Sequence, residues 1–471
     1  LILEGAATKD ELDDIRKEAK KEVRLHQKEA WHQFRIDIDA DLHSAVSLLR
    51  GLEGDASEIA SNLEKSMDPG RAEIFTAVRS ALINSAGSDS PGRAALKNWL
   101  SAAKSISKEK YNDHLYSEDS DSALKVPEIP AVFSDEQVDG RLILQQNFQE
   151  IFSRYPNVLT FGEDVGGIGG VNQVMEGMQE KFGDVRVSDT GIRECTIIGS
   201  GIGMSLRGLR PIAEIQYLDY LYYALQILRD DLATVRYRTA GGQKAPLIVR
   251  TRGHRLEGIW HSGSPMGAIV SSLRGMLVCV PRNMVQAAGM YNTLLRAEEP
   301  ALVIECLNGY RKKEFMPSNC GEFTVPLGKP EITRSGSDIT ILSYGSTFNL
   351  CTNAAYRLSE LGIEVELVDA QTLLPFDVNG LTAESVSRTN RLLIVDEDVS
   401  GGASAYLLDE VLNRQGAWCH LDSQPRTLTA KPHLPAYTSD GDYFSKPSVD
   451  DIVESAYSYM NETDPSRFPI I

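Results

Sequence analysis

A change of periodicity near residue 136 constrains this chain most. From there short apolar runs alternate with amphipathic segments such as Leu221 to Tyr237. The runs are VLTF (158–161), VRVS (185–188), PIAEI (211–215), LIVRT (247–251), MLVCV (276–280) and ALVIE (301–305). Short unbroken apolar runs suit strands buried on both faces, and helices between them cross over a parallel sheet. A second series follows Gly328-Lys329-Pro330: DITILSYG (338–345), IEVELVDA (363–370) and RLLIVDE (391–397), with helices near 347–361, 403–414 and 448–461. The expected class is α/β, with a larger and a smaller parallel-sheet domain.

The first 115 or so residues read instead as helix throughout. Thr8 and Glu11 form a capping-box pattern. Leu12, Ile15, Ala19, Val23, Ala30 and Phe34 recur at helical spacing among dense Lys, Glu and Arg, which predicts one narrow buried face. Asp68-Pro69 and Ser90-Pro91 mark later helix starts. Residues 116–135 are acidic, Ser-rich and punctuated by Pro127 and Pro130, the composition of a linker. The expected plan is a helical segment plus linker over 1–125, a larger α/β domain over 126–325 and a smaller one over 326–471.

Charge narrows the function. Lys plus Arg is 48 against 66 Asp plus Glu, a formal charge of −18. Such a surface repels phosphate backbones and anionic lipid, so nucleic acid and membrane are not expected partners. No apolar run is long enough to span a bilayer. The six cysteines are scattered with no CxxC pair, which fits a reduced, cytoplasmic protein without a zinc or disulfide framework. The opening Leu1-Ile2-Leu3-Glu4-Gly5 has no Met and no signal pattern, so a piece of a longer polypeptide is expected.

In open α/β sheets ligands lie beyond the carboxyl ends of strands. Gly162-Glu163-Asp164-Val165 follows VLTF and leads into Gly166-Gly167-Ile168-Gly169-Gly170. Such a loop can cradle phosphate, but it has neither a Lys-Ser/Thr ending nor GxGxxG order, so a flexible turn is favoured. Glu194 comes after VRVS and opens a helix, where an acid is usually a dipole-friendly cap. Gly199, Gly201 and Gly203 cost that helix about 1 kcal/mol each and make sense where another helix or a ligand comes close. After PIAEI, Gln216 is a polar hook and Tyr220 an aromatic plate, though each alone reads as ordinary packing. The loop after LIVRT holds His254 and His261. His261 lies among Ser and Gly, a general acid or base candidate with a solvated loop histidine as the plain alternative.

GEDVG, DTGIREC, AEIQYLDY, WHSGSP and LLPFD (373–377) together resemble the β subunit of thiamin diphosphate-dependent 2-oxo acid dehydrogenases, the first component of those multienzyme complexes. The resemblance runs from about residue 126 to about 460 and takes in GSDITILSYG, VELVDAQTLLPFD and Gly401-Gly402. Branched-chain members look closest, through AEIQYLDY followed by VRYRTAGG. EGAATKDELDDIRKEAKKEV resembles the charged helix that closes the α subunit of the same enzymes, which implies the C-terminal part of a fused α–β polypeptide.

The resemblance implies a transketolase-like pyrimidine-binding domain followed by a transketolase C-terminal-like domain. It implies thiamin diphosphate, gripped here by its aminopyrimidine end only. The GDG…N loop for diphosphate and magnesium is not found, since Ser439-Asp440-Gly441-Asp442 has the wrong order, and is expected on an α part. Glu194 matches the glutamate that shares a proton with a ring nitrogen, from a dry site that raises its pKa. Ile192 matches an apolar lining position, Tyr220 the aromatic beside the ring, Gln216 a polar neighbour and Glu163 a nearby carboxylate. His261 matches the histidine that assists acyl transfer to a lipoyl group, with His254 as runner-up. Implied partners are an α subunit, a second β copy in an α2β2-like assembly, a lipoyl acyltransferase and a 2-oxo acid, branched-chain before pyruvate.

The family pattern is broken at three places. Gly191 and Arg193 replace a Pro and a small residue, and Arg193 is expected to point away from Glu194. HSQS becomes HSGS, losing an amide side chain at Gly263. Ala297 and Glu299 stand where a potassium loop carries Asp and Asn, so no potassium is claimed. Competing readings are acetoin or transketolase-like chemistry on the same fold, sharing Glu194 but needing no lipoyl partner, or a scaffold that binds no thiamin.

Overall fold

The computed structural model describes residues 1–112, 114–253, 261 and 263–470. Two compact units emerge, Leu1–Asp113 and His114–Ile471.

The first unit is four helices: α1 (Lys9–Arg50), α2 (Ala56–Lys65), α3 (Arg71–Asn84) and α4 (Pro91–Asn112). The capping box at its start is made: the Thr8 hydroxyl accepts the Glu11 amide at 3.3 Å, and the Thr8 amide donates to the Glu11 carboxylate at 2.8 Å. The small core joins Ile38, Val46 and Leu49 of α1 to Leu63, Ile74, Val78 and Leu96. The expected burial of the earlier stripe is not met, for Ile15, Val23 and Phe34 are 63%, 64% and 56% exposed. The reason is length. At 42 residues α1 is about 60 Å long, and the shorter helices fold back only on its second half. α3 begins two residues after Pro69, where the Gly70 amide donates to Glu73 at 2.9 Å.

The second unit runs β1 (Phe133–Asp139), α5 (Gly140–Arg154), β2 (Val158–Gly162), α6 (Met178–Phe182), β3 (Val187–Asp189), α7 (Glu194–Leu206), β4 (Arg210–Ile215), β5 (Ile248–Gly253), β6 (Leu277–Cys279), β7 (Ala301–Cys306) and β8 (Lys313–Pro317). It continues with β9 (Glu331–Arg334), β10 (Ile339–Ser343), β11 (Val365–Asp369), β12 (Thr372–Leu374), β13 (Leu392–Val399) and β14 (Arg426–Ala430). Seven strands form one sheet in the order β12-β6-β7-β5-β4-β2-β3, parallel except for β12. Five form another, β14-β13-β10-β11-β9, parallel except for β9. β1 and β8 pair as a separate antiparallel ribbon. The α/β architecture with a preceding helical segment is as the alternation predicts. β12 comes late in the chain yet completes the first sheet, so one three-residue strand, Thr372–Leu374, stitches the two sheets together.

Two local readings are corrected. Leu221 to Tyr237 is not one helix: 3₁₀ turns over Leu218–Ala224 pass through one α turn to a π turn at Leu228–Leu232. Its buried residues explain this, since Leu218, Leu221 and Ala224 recur every three positions, then Leu228 and Leu232 every four, so no single winding buries them all. Residues 116–135 are not a free linker. The Tyr116 hydroxyl donates to the Met276 carbonyl at 3.3 Å, and the Ser117 and Ala123 amides donate to the buried Glu299 carboxylate at 3.3 and 3.0 Å. No helix among the described residues is long and apolar enough to cross a membrane.

Candidate active site

β3 and β4 flank β2, so the chain reverses across the first sheet at that strand. The carboxyl ends of the three strands open on a cavity of about 570 Å³ lined by Glu163, Ile192, Arg193, Glu194, Cys195, Gln216, Tyr220 and Tyr223. Glu163 lies just past β2, Glu194 begins α7 after β3, and Gln216 and Tyr220 follow β4. Five residues singled out by sequence therefore meet in one place. The Gln216 amide donates to Asp164 at 3.3 Å, which fixes its position on the rim. Partial burial, then the Asp164 and Glu194 carboxylates, push the Glu163 pKa above the ordinary range. Glu163 and Glu194 are thus two acids on one wall.

His261 does not line this cavity but touches the side chain that does. Its Nε2 lies 2.8 Å from the Tyr220 hydroxyl, and its ring packs on Tyr217 with centroids 4.2 Å apart. Burial, then neighbouring Tyr217 and acidic groups, raise the Tyr220 pKa. The runner-up His254 lies outside the described residues.

Two expectations change. The Glu194 carboxyl is not sealed from water: the residue is half-buried and Ile192 is 59% exposed. Among the described residues nothing covers α7 at two of its glycines: a methyl group added at Gly199 or Gly203 would meet nothing within 4 Å. Gly201 alone shows the close approach, its Cβ position lying 2.7 Å from Leu247. Arg193 lines the cavity, its guanidinium donating to the Ile192 carbonyl at 2.7 Å. In the glycine-rich loop, the Gly166 and Gly167 amides donate to the two Asp189 oxygens at 2.7 and 3.0 Å. An internal carboxylate thus takes the donors a phosphate would need.

Beneath the cavity lies a network that sequence reading passed over. Glu214 of β4, Arg250 and Arg252 of β5 and Glu305 of β7 all have fully buried side chains. Arg250 pairs with Glu214 and donates to Glu305 at 2.6 and 2.9 Å; Arg252 reaches Glu214 at 2.8 Å. Tyr291 donates to Glu305 at 2.6 Å, and Tyr310 also donates to it. Burial alone would raise the Glu305 pKa, but Arg250 outweighs it and holds the carboxyl below its usual range. Arg252 also donates to the Gln216 carbonyl at 3.1 Å, which ties the network to the cavity rim. A signal was present: PIAEI, LIVRT and ALVIE each place one charge inside an apolar run, with alternating sign. Tyr217, Asp219 and Tyr223 were likewise not assigned roles.

The sheet order and the strand-end cavity define a transketolase-like pair of α/β domains. Residues 136–312 match the pyrimidine-binding domain of transketolase, and residues 328–446 match the C-terminal domain of transketolase. Over 291 residues the chain is 33% identical to the 2-oxoisovalerate dehydrogenase subunit beta of Bacillus subtilis, covering 61% of this chain and 87% of that relative. Over 306 residues it is 33% identical to the pyruvate dehydrogenase E1 component subunit beta of the same organism, covering 64% and 91%. A solved structure of a split gene transketolase, described as an inactive beta4 tetramer, superposes with a TM-score of 0.55 at 18% identity. It covers 68% of this chain and 98% of that one, a likeness of fold alone. The chain belongs to the thiamin diphosphate-dependent family of 2-oxo acid dehydrogenase E1 beta subunits.

Proposed function

We propose that this chain is the β part of a 2-oxo acid dehydrogenase first component, decarboxylating a 2-oxo acid and passing the acyl group to a lipoyl group of an acyltransferase component. The carrying observation is the convergence of Glu163, Ile192, Glu194, Gln216 and Tyr220 on one cavity at three strand ends. The lining fits one end of thiamin diphosphate: Ile192 and two phenol rings offer faces to a flat heterocycle, and two carboxyls and an amide offer hydrogen-bond partners to its edge. When bound, thiamin diphosphate supplies the nucleophilic carbon and the electron sink that let a 2-oxo acid lose carbon dioxide.

In this reading the Glu194 carboxyl holds a proton against a ring nitrogen of the aminopyrimidine. Glu163, its pKa raised by burial and then by Asp164 and Glu194, lines the same cavity and exchanges that proton. Gln216, anchored on Asp164, orients the ring edge, while Ile192 and Tyr220 keep water from its faces. His261, held through Tyr220, supplies a proton as the acyl group moves to one lipoyl sulfur and the other becomes a thiol. The open space at Gly199 and Gly203 of α7 supports completion of the site by an α part, which would hold the diphosphate and magnesium. We assign a second β copy to the assembly, and read residues 1–113, whose start resembles an α-subunit tail, as the end of a fused α part. Branched-chain substrates rank before pyruvate on the AEIQYLDY and VRYRTAGG pattern.

The test is a panel of branched-chain 2-oxo acids, pyruvate and 2-oxoglutarate with the full polypeptide, its α part and thiamin diphosphate, scoring carbon dioxide release and lipoyl acylation together. Turnover of a branched-chain acid with acylation is expected. Acyl transfer to a carbonyl acceptor without lipoyl acylation would overturn the reading.

A further inference from the structure

Two carboxylates, unused in the chemistry above, pin the segment that follows His261. Asp219 Oδ2 accepts the Gly263 amide at 3.0 Å, two residues beyond the imidazole. A Cβ at Gly263 would collide with the same carboxylate, so Asp219 and Gly263 fit only as a pair. Further on, Asp398 Oδ2 accepts the Gly267 amide at 2.8 Å. Asp398 sits near the end of β13 in the smaller sheet, while Gly267 lies in the short helix Met266–Ser272 of the larger domain. A Cβ at Gly267 would stand 2.9 Å from the Gly402 Cα, so backbone meets backbone at this joint.

The surroundings give these bonds weight. Asp219 and Asp398 are both half-buried, and a carboxylate accepting an amide out of water makes one of the stronger hydrogen bonds available to a backbone. Three groups of one segment face His261: Tyr220 on Nε2, Tyr217 against the ring and Asp219 close enough for the two charges to attract. Asp219 also faces Lys446, and Tyr222 faces both Asp219 and Asp398. Asp396 stands beside Asp398. Asp219 is therefore placed to fix where the ring sits, through the amide two residues beyond it.

We propose that Asp219 and Asp398 are positioning residues for His261, the first anchoring the backbone just beyond the imidazole and the second tethering the next helix to the smaller sheet. The proposal rests on the reading of His261 as the acyl-transfer residue. It also gives the C-terminal domain a part in the site without contact with substrate.

The test compares Asp219→Asn, Asp219→Ala, Asp398→Ala, His261→Ala and the double variant Asp219→Ala/His261→Ala in the assembled enzyme. The readout is lipoyl acylation relative to decarboxylation scored with an artificial electron acceptor, with rescue by the asparagine that keeps the acceptor. Asp219→Asn keeps an acceptor for Gly263, so acylation stays within about twofold of wild type. Asp219→Ala lowers acylation about tenfold. The double variant equals His261→Ala, because the anchor acts only through the imidazole. In the full chain, hydrogen exchange of the Gly263 amide rises in Asp219→Ala and that of the Gly267 amide in Asp398→Ala, and neither rises in Asp219→Asn. Unchanged exchange and acylation in both alanine variants overturn the proposal, as does a double variant slower than His261→Ala. A wild-type acylation rate in His261→Ala sinks the His261 reading instead, while the exchange result still reports whether the anchors exist.

Discussion

Glu214 and Gln216 are two residues apart in one strand-and-turn segment, yet they live in different chemistry. Glu214 is 1% exposed and bridged to two guanidinium groups. Gln216 stands on a cavity wall with one long bond to Asp164. The same contrast separates Arg250, deep in β5, from His261 beyond its end. Inside a sheet covered on both faces, a charge persists only if partners surround it. Past the last paired residue the backbone turns out, partners fall away and a side chain is left for a ligand. Strand bodies hold this protein's structural charges, and strand ends hold the groups we propose for its chemistry.

The sharpest way to break that division is Arg250→Met. It strands Glu305 and Glu214 in the interior, and we expect a loss of about 3–5 kcal/mol in denaturant unfolding. A loss below about 1 kcal/mol would mean the strand-body charges are not structural. Glu194→Gln should do the reverse, lowering decarboxylation about 10²–10³-fold while stability stays within about 0.5 kcal/mol. Comparable turnover in wild type and variant would remove Glu194 from the chemistry.

Asp398→Asn probes the border between the two regions. Burial pushes the Asp398 pKa to about 6, above the 3.8 of an ordinary aspartate. The folded chain therefore binds this proton more tightly than the unfolded one, so stability from this group rises as pH falls through about 6 and levels off below about 4. The asparagine keeps an acceptor for Gly267 and should stabilise the chain by about 1–2 kcal/mol at neutral pH, allowing for partial exposure. The stabilisation should vanish near pH 4, and thermal melts across that range check it. Smallest is Tyr220→Phe, which removes one hydrogen bond to His261; about 1 kcal/mol, or roughly fivefold slower lipoyl acylation, is expected with decarboxylation less affected.

Much of the candidate site is legible in the sequence, because strand ends follow from apolar runs and Glu163, Glu194, Gln216 and Tyr220 sit shortly after them. What stayed hidden depends on facing partners. Composition marked 116–135 as a linker because it is acidic and proline-bearing, but Glu299, some 180 residues away, accepts two of its amides. Periodicity marked Leu12 to Phe34 as a buried face because spacing describes a stripe and not what covers it. One long helix was read over 221–237 because apolar density looks alike whether the turns are 3₁₀, α or π.

Local order was settled by the chain itself: the alternation of strand and helix, the Thr8–Glu11 cap and the placement of candidate groups just past strands are consequences of nearest-neighbour sterics and side-chain pattern. Tertiary structure alone decided that β12 joins the first sheet, that three charged residues in separate apolar runs meet as one network, and that Asp219 and Asp398 close on the amides after His261. Those pairings join residues tens to more than a hundred positions apart, and no local preference encodes which distant group will satisfy a buried charge or amide.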